Sequence, residues 1–169
     1  MATQTAAHTT ATETVSTSTG RGKAAGIVGA GRDLVLLVGR IGLGILMILH
    51  AKMEWDFGGG SLAGVAGMFE QSNVPFPTAA AAFNLLVEFA GGILVIAGAA
   101  LPLIGVAMAA NMAGAWALVH TGGLYSAEGN GPELVIAIGL LSLVFAAVGS
   151  GRLGVDHWIA RWYRNRRSA

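Results

Sequence analysis

Arg40 and Glu88 each lie inside a run of residues otherwise apolar enough to cross a bilayer. A charge at that depth costs roughly 3 to more than 10 kcal/mol depending on method, so it has a partner and a use by default. Placed by helical rise, Arg40, Asn111 and Glu88 lie about 9, 12 and 18 Å from the inner boundary, within bridging reach of a long Arg side chain. The spacing predicts a buried Arg40–Glu88 pair with Asn111 as its third member. The competing arrangement has Arg40 reaching back to the cytoplasmic headgroups while Glu88 is protonated or bonds to backbone. A buried pair can serve packing alone, because breaking it strands a charge. Alternatively Glu88, four residues after Asn84 on one helix face, belongs to a proton path serving a quinone or an ion.

A second set, His50, Asn84, His120 and Glu133, falls near the outer boundary. Two imidazoles, an amide and a carboxylate around the mouth of a bundle suit a quinone headgroup, with hydrogen bonds to its carbonyls and a His moving the proton. Ordinary interfacial hydrogen bonding and a metal or haem ligand set stay open beside that reading. A metal site needs more ligands than this set assures, so none is assigned. Haem ligation by His50 and His120 is disfavoured because bis-His pairs occupy bundle-centre positions. Asn111 and His120 are nine residues apart, on opposite faces of a straight helix. One network holds both only if that helix bends or turns at its outer end.

The elements that must position these residues are four apolar segments: Leu34–His50, Thr78–Ala100, Leu103–His120 and Glu133–Gly149. Each has about 17 to 23 residues, enough for a hydrocarbon core of ~30 Å. Composition agrees, with 54% hydrophobic and 11% charged residues and 26 glycines, a bias of membrane helices. Open strands would leave backbone groups unsatisfied in lipid, and a soluble bundle would need charged outer faces that these segments lack. The fold class predicted is all-α, an integral membrane four-helix bundle spanning residues 33–150.

Basic residues orient it. Arg21, Lys23 and Arg32 precede the first span, and Arg152, Arg161, Arg164, Arg166 and Arg167 follow the fourth. Glu54, Asp56 and Glu70 outweigh Lys52 in the first loop, and Glu128 stands without a base in the third. Positive-inside bias then places both termini in the cytoplasm, in a multi-pass protein of the plasma membrane.

Residues 1–32 are rich in Thr, Ser and Ala and are expected to form a disordered cytoplasmic tail, not a cleavable signal peptide. Residues 151–169 form a basic-aromatic tail in which arginines alternate with Trp158, Trp162 and Tyr163. That pattern reads as a short helix on anionic lipid or a docking site for a soluble partner, not as a nucleic-acid site. Between spans one and two, Gly58-Gly59-Gly60-Ser61 reads as a turn and Leu62–Phe69 as a brief helix at the interface. Gly105, Ala109, Ala113 and Ala117 make a small-residue stripe for close packing, within the bundle or in a homodimer. With no cysteine, dithiol exchange and c-type haem attachment are excluded.

Several patterns together carry a resemblance: Arg40-Ile-Gly-Leu-Gly44 with His50, Asn73-Val-Pro-Phe-Pro77, Glu88-Phe-Ala-Gly-Gly92 leading to Ala97-Gly98, His120 with Glu133, and Gly149-Ser-Gly151-Arg152 with Asp156. In order and spacing they resemble the DoxX family of small four-helix membrane proteins, over about Leu34 to Asp156. One departure is local: the family's His-Gly-x-x-Lys reads His50-Ala51-Lys52-Met53-Glu54 here. The resemblance implies a bacterial membrane subunit or anchor of an oxidoreductase system, quinone-linked or tied to oxidative stress, working with a soluble or membrane oxidoreductase rather than catalysing alone. No catalytic residue is assigned. The alternatives are a small-solute, ion or proton transporter using the Arg40–Glu88 centre, and a non-catalytic scaffold.

Overall fold

The computed structural model describes the backbone of residues 9–123 and 131–167, and side chains within those ranges from Gly26 onward. Six helices follow in chain order: α1 (Thr9–Phe57), α2 (Leu62–Gln71), α3 (Pro77–Ala97), α4 (Leu101–Leu118), α5 (Glu133–Val148) and α6 (Val155–Arg167). No strand occurs among the described residues. Among the described residues three helices are long and apolar enough to cross a membrane: Gly26–Phe57 within α1, and the whole of α3 and α4. The fourth apolar helix, α5, has 16 residues, about 24 Å at the usual rise against a hydrocarbon core of ~30 Å. One core draws on all four, with Leu43 and Met47 of α1, Val87 and Val95 of α3, Met108 and Met112 of α4, and Ile138 and Phe145 of α5 among its buried residues.

Helix α1 is longer at both ends than composition predicts. Over residues 1–32 a disordered tail is expected, yet the described helix begins at Thr9. Adding turns to a formed helix carries no nucleation cost, so a poor helix-forming segment can continue one that the apolar span has started. Residues 1–8 lie outside the described residues, as does Glu128. At the other end the helix runs past His50 to Phe57, placing Glu54 on the helix instead of in a loop. The i,i+4 pairs Lys52–Asp56 at 2.5 Å and His50–Glu54 at 3.8 Å line that extra turn.

Helices α1 and α3 meet backbone to backbone. A Cβ built on Gly44 would stand 2.5 Å from the Gly92 carbonyl oxygen, and one on Gly92 would stand 2.8 Å from that of Gly44. Only a glycine at each position permits this approach. The contact also sets an antiparallel register in which Gly44 is level with Gly92, Arg40 with Ile96, and Glu88 with the turn leading to His50. On the other side of the core, Gly105 seats α4 against Ser142 and Ala146 of α5. Gly105 and Ala109 of the small-residue stripe therefore pack within the chain, while Ala113 and Ala117 stay exposed.

Helix α2 is the brief helix expected after the first span. Ser61 caps it, its hydroxyl accepting the Gly64 N–H at 3.1 Å. Val65 and Ala66 pack on Ala81 of α3, so α2 covers one end of the α1–α3 pair. At the opposite end, the α3–α4 connection is only three residues long and α6 closes it. Asp156 of α6 accepts the N–H groups of Ala100 (2.7 Å) and Leu101 (3.1 Å), supplying in trans the cap that α4 lacks locally. Its own N–H bonds to the Gly98 carbonyl. Asp156→Ala is expected to destabilise the protein by about 1 kcal/mol, read as a lowered midpoint in thermal unfolding in detergent. An unchanged midpoint would show that solvent or lipid headgroups replace this cap.

Candidate functional site

Two polar centres lie inside the helices, at opposite ends. The first is Arg40, fully buried, whose guanidinium donates to the carbonyls of Ile96 (3.4 Å) and Leu153 (3.3 Å). Its Nε has no partner among the described residues. Gly98 and Gly154 leave room for the guanidinium, since a Cβ at Gly98 would collide with Nη1 and one at Gly154 would stand 3.1 Å from it. The charge sits at the C-terminal end of α3, where free carbonyls and the helix dipole favour a cation.

This overturns the predicted Arg40–Glu88–Asn111 cluster. Among the described residues Arg40 makes no ion pair, and Glu88 pairs with His50 instead. The Gly44–Gly92 register is the reason, because it separates the Arg40 and Glu88 levels by eight residues, about 12 Å. A transport centre built on that pair has no support in the geometry.

The second centre surrounds a cavity of about 260 Å³ at the α2-covered end. The His50 ring donates through Nδ1 to Glu88, 3.1 Å from each carboxylate oxygen. Glu88 is 1% exposed. One turn along α1, Glu54 lies 3.8 Å from the same Nδ1 and accepts an N–H from the Asn84 amide at 2.5 Å. Asn111 of α4 in turn donates to the Asn84 oxygen at 2.8 Å. Imidazole, two carboxylates and two amides thus form one chain across α1, α3 and α4, and all five residues line the cavity. Met68 and Phe69 of α2 and Val135 of α5 give it apolar walls.

His120 joins this cavity because α4 stops at Leu118 and the chain turns. The N–H groups of Val119 and His120 both bond to the Ala115 carbonyl, at 3.0 and 2.9 Å. That turn is what lets Asn111 and His120 face one space. The Nδ1 of His120 is buried and has no hydrogen-bond partner among the described residues. Glu133 does not join: it is exposed in the first turn of α5, where its charge suits the helix N-terminus. The inward face of α5 begins at Val135, two residues or about 200° further round.

Of the predicted mouth residues, His50, Asn84 and His120 come together, and Asn111 and Glu88 are added from the other predicted set. Glu54 was read only as a loop acid. Its signal was the i,i+4 spacing from His50, which puts the two side chains on one face once the helix continues.

The DoxX family model matches residues 35–121. The chain belongs to the DoxX family. The matched stretch runs from α1 through His120, so this DoxX chain carries Arg40 and every polar residue named at the cavity within it, while Glu133, α5 and α6 lie beyond. Together with the apolar helices, membership makes it a helical membrane protein. Glu54 stands where the family's His-Gly-x-x-Lys pattern places a base. No curated protein and no solved structure matches the chain.

Proposed function

We propose that this DoxX protein is a four-span subunit of a quinone-linked oxidoreductase in the plasma membrane, with both termini cytoplasmic, and that the cavity holds the quinone headgroup. The observation that carries the reading is the buried Nδ1 of His120, without a partner among the described residues, in one apolar-walled cavity with the His50–Glu88 pair. A polar atom without a protein partner in such surroundings is costly unless a ligand completes it. A quinone offers two carbonyl acceptors on an apolar ring, and 260 Å³ accommodates a single ring of that kind. Basic residues ahead of the apolar stretch of α1 (Arg21, Lys23, Arg32) and after α5 support the orientation, in which the cavity lies near the outer leaflet.

Turnover of a quinone moves two electrons and two protons, forming or breaking two O–H bonds. A partner oxidoreductase would exchange the electrons, and His120 and the His50–Glu88 pair would exchange the protons at the carbonyl oxygens. The exposed basic and aromatic side chains of α6, with Arg166 stacked 4.0 Å over Trp162, offer the cytoplasmic partner or anionic headgroups a surface.

Thermal unfolding in detergent, with and without a menaquinone or ubiquinone analogue, tests this. The expected result is a saturable rise in midpoint that His120→Ala removes. Because His120 Nδ1 has no hydrogen-bond partner among the described residues, that variant alone should unfold close to the parent without ligand. No rise with either analogue, or a rise indifferent to both His120→Ala and His50→Ala, would refute quinone binding here.

A further inference from the structure

We infer that His50, Glu54 and Glu88 form a binding site for one divalent transition-metal ion of the zinc, iron(II) or manganese class. The inference does not rest on the quinone reading, although it shares His50 and Glu88 with it; the residues that separate the two are Glu54, for the metal, and His120, for the quinone.

Ligand atoms from these three residues all lie within 4.8 Å of one another. The His50 Nδ1 is 3.1 Å from the Glu88 oxygens and 3.8 Å from Glu54 Oε1. Ligands bound tetrahedrally at about 2.0 Å stand about 3.3 Å apart along each edge, so an ion between these atoms requires little movement. Glu54 is held in its orientation by the Asn84 amide, and Asn84 by Asn111. Such outer hydrogen bonds are what fix ligands around a metal centre.

Charge points the same way. Two carboxylates, one of them wholly buried, converge on a single imidazole. Neither nearby base can balance them: Arg40 lies about 12 Å away along the helices, and Lys52 is paired with Asp56 on the exposed face. Buried charges in proteins are paired or coordinate metals. A divalent ion displacing the Nδ1 proton would meet two carboxylates and a neutral imidazole, bringing the group to neutrality. One imidazole with carboxylate oxygens suits zinc, iron(II) or manganese. Calcium requires six to eight oxygen ligands, and soft copper(I) favours the thiolates this chain lacks. Three protein ligands leave a fourth position open, and it faces the cavity.

The test uses the full-length protein in detergent, freed of any affinity tag. Elemental analysis of protein purified without chelator should find about one transition-metal ion per chain. Chelator-treated protein should take up one equivalent of zinc with a raised thermal midpoint, and one of cobalt(II) with a visible absorption band. Glu88→Gln and Glu54→Gln, which keep side-chain shape and helical signal, should each weaken cobalt binding at least tenfold. Glu133→Gln, at the same end but exposed, should leave it unchanged, and so should His120→Ala, the variant that removes the quinone response. Failure to take up a stoichiometric equivalent, or uptake that survives the combined Glu54→Gln and Glu88→Gln replacement, would overturn the inference.

Discussion

Gly98→Ala is expected to lower stability by about 2–5 kcal/mol. Two costs combine. Gly98 has φ of +69°, a left-handed conformation that costs a residue bearing a Cβ roughly 1–2 kcal/mol. The added carbon would also land on the Arg40 guanidinium and stand 2.9 Å from the Gly154 Cα, an overpacking penalty of about 1–3 kcal/mol. Arg40 is fully buried and cannot retreat without giving up its carbonyl partners. Gly42→Ala is the matched control. A Cβ there meets nothing within 4 Å, and the better helix former should leave stability equal or slightly higher. Equilibrium unfolding of both variants in detergent decides the matter, and a Gly98→Ala protein within 1 kcal/mol of the parent would show that the guanidinium is seated elsewhere.

Glu88→Ala should cost about 3 kcal/mol, because it removes one member of a buried pair and leaves the imidazole with Glu54 alone at 3.8 Å. Glu88→Gln, which keeps the shape and one hydrogen-bonding oxygen, should cost less than half as much. The informative experiment is a double-mutant cycle with His50→Ala. If the pair is real, the double variant is more stable than the sum of the single losses predicts, by at least about 1 kcal/mol. Additive losses would mean that His50 and Glu88 do not interact in the folded protein.

The residues of the cavity were easier to find in the sequence than their partnerships. Arg40 and Glu88 stood out because a charge in an apolar run is conspicuous, and both are buried. Their pairing failed because depth was counted from the apparent ends of each hydrophobic run, whereas register is set where Gly44 meets Gly92. Nothing in either glycine's local sequence names its partner. His50, Asn84 and His120 share a depth in the sequence and line one cavity. Glu133 shares that depth but not the facing, which depends on how α5 is rotated. Glu54 was missed for a simpler reason. The apolar run stops near His50, and hydropathy cannot tell a helix that continues into polar surroundings from a loop.

The direct backbone contact between α1 and α3 also bears on how the cavity meets a ligand. With no side chain between Gly44 and Gly92, the two helices have nothing compressible to slide or roll on, and His50 and Glu88 stand only one to two turns from that fulcrum. Their spacing is inherited from main-chain geometry rather than from rotamers that a ligand might persuade to move. The ordering is completed at folding, so occupancy adds little conformational cost. Selectivity should accordingly follow size: affinity falls off steeply for ions or rings that miss the preset gap, with scant accommodation by the site.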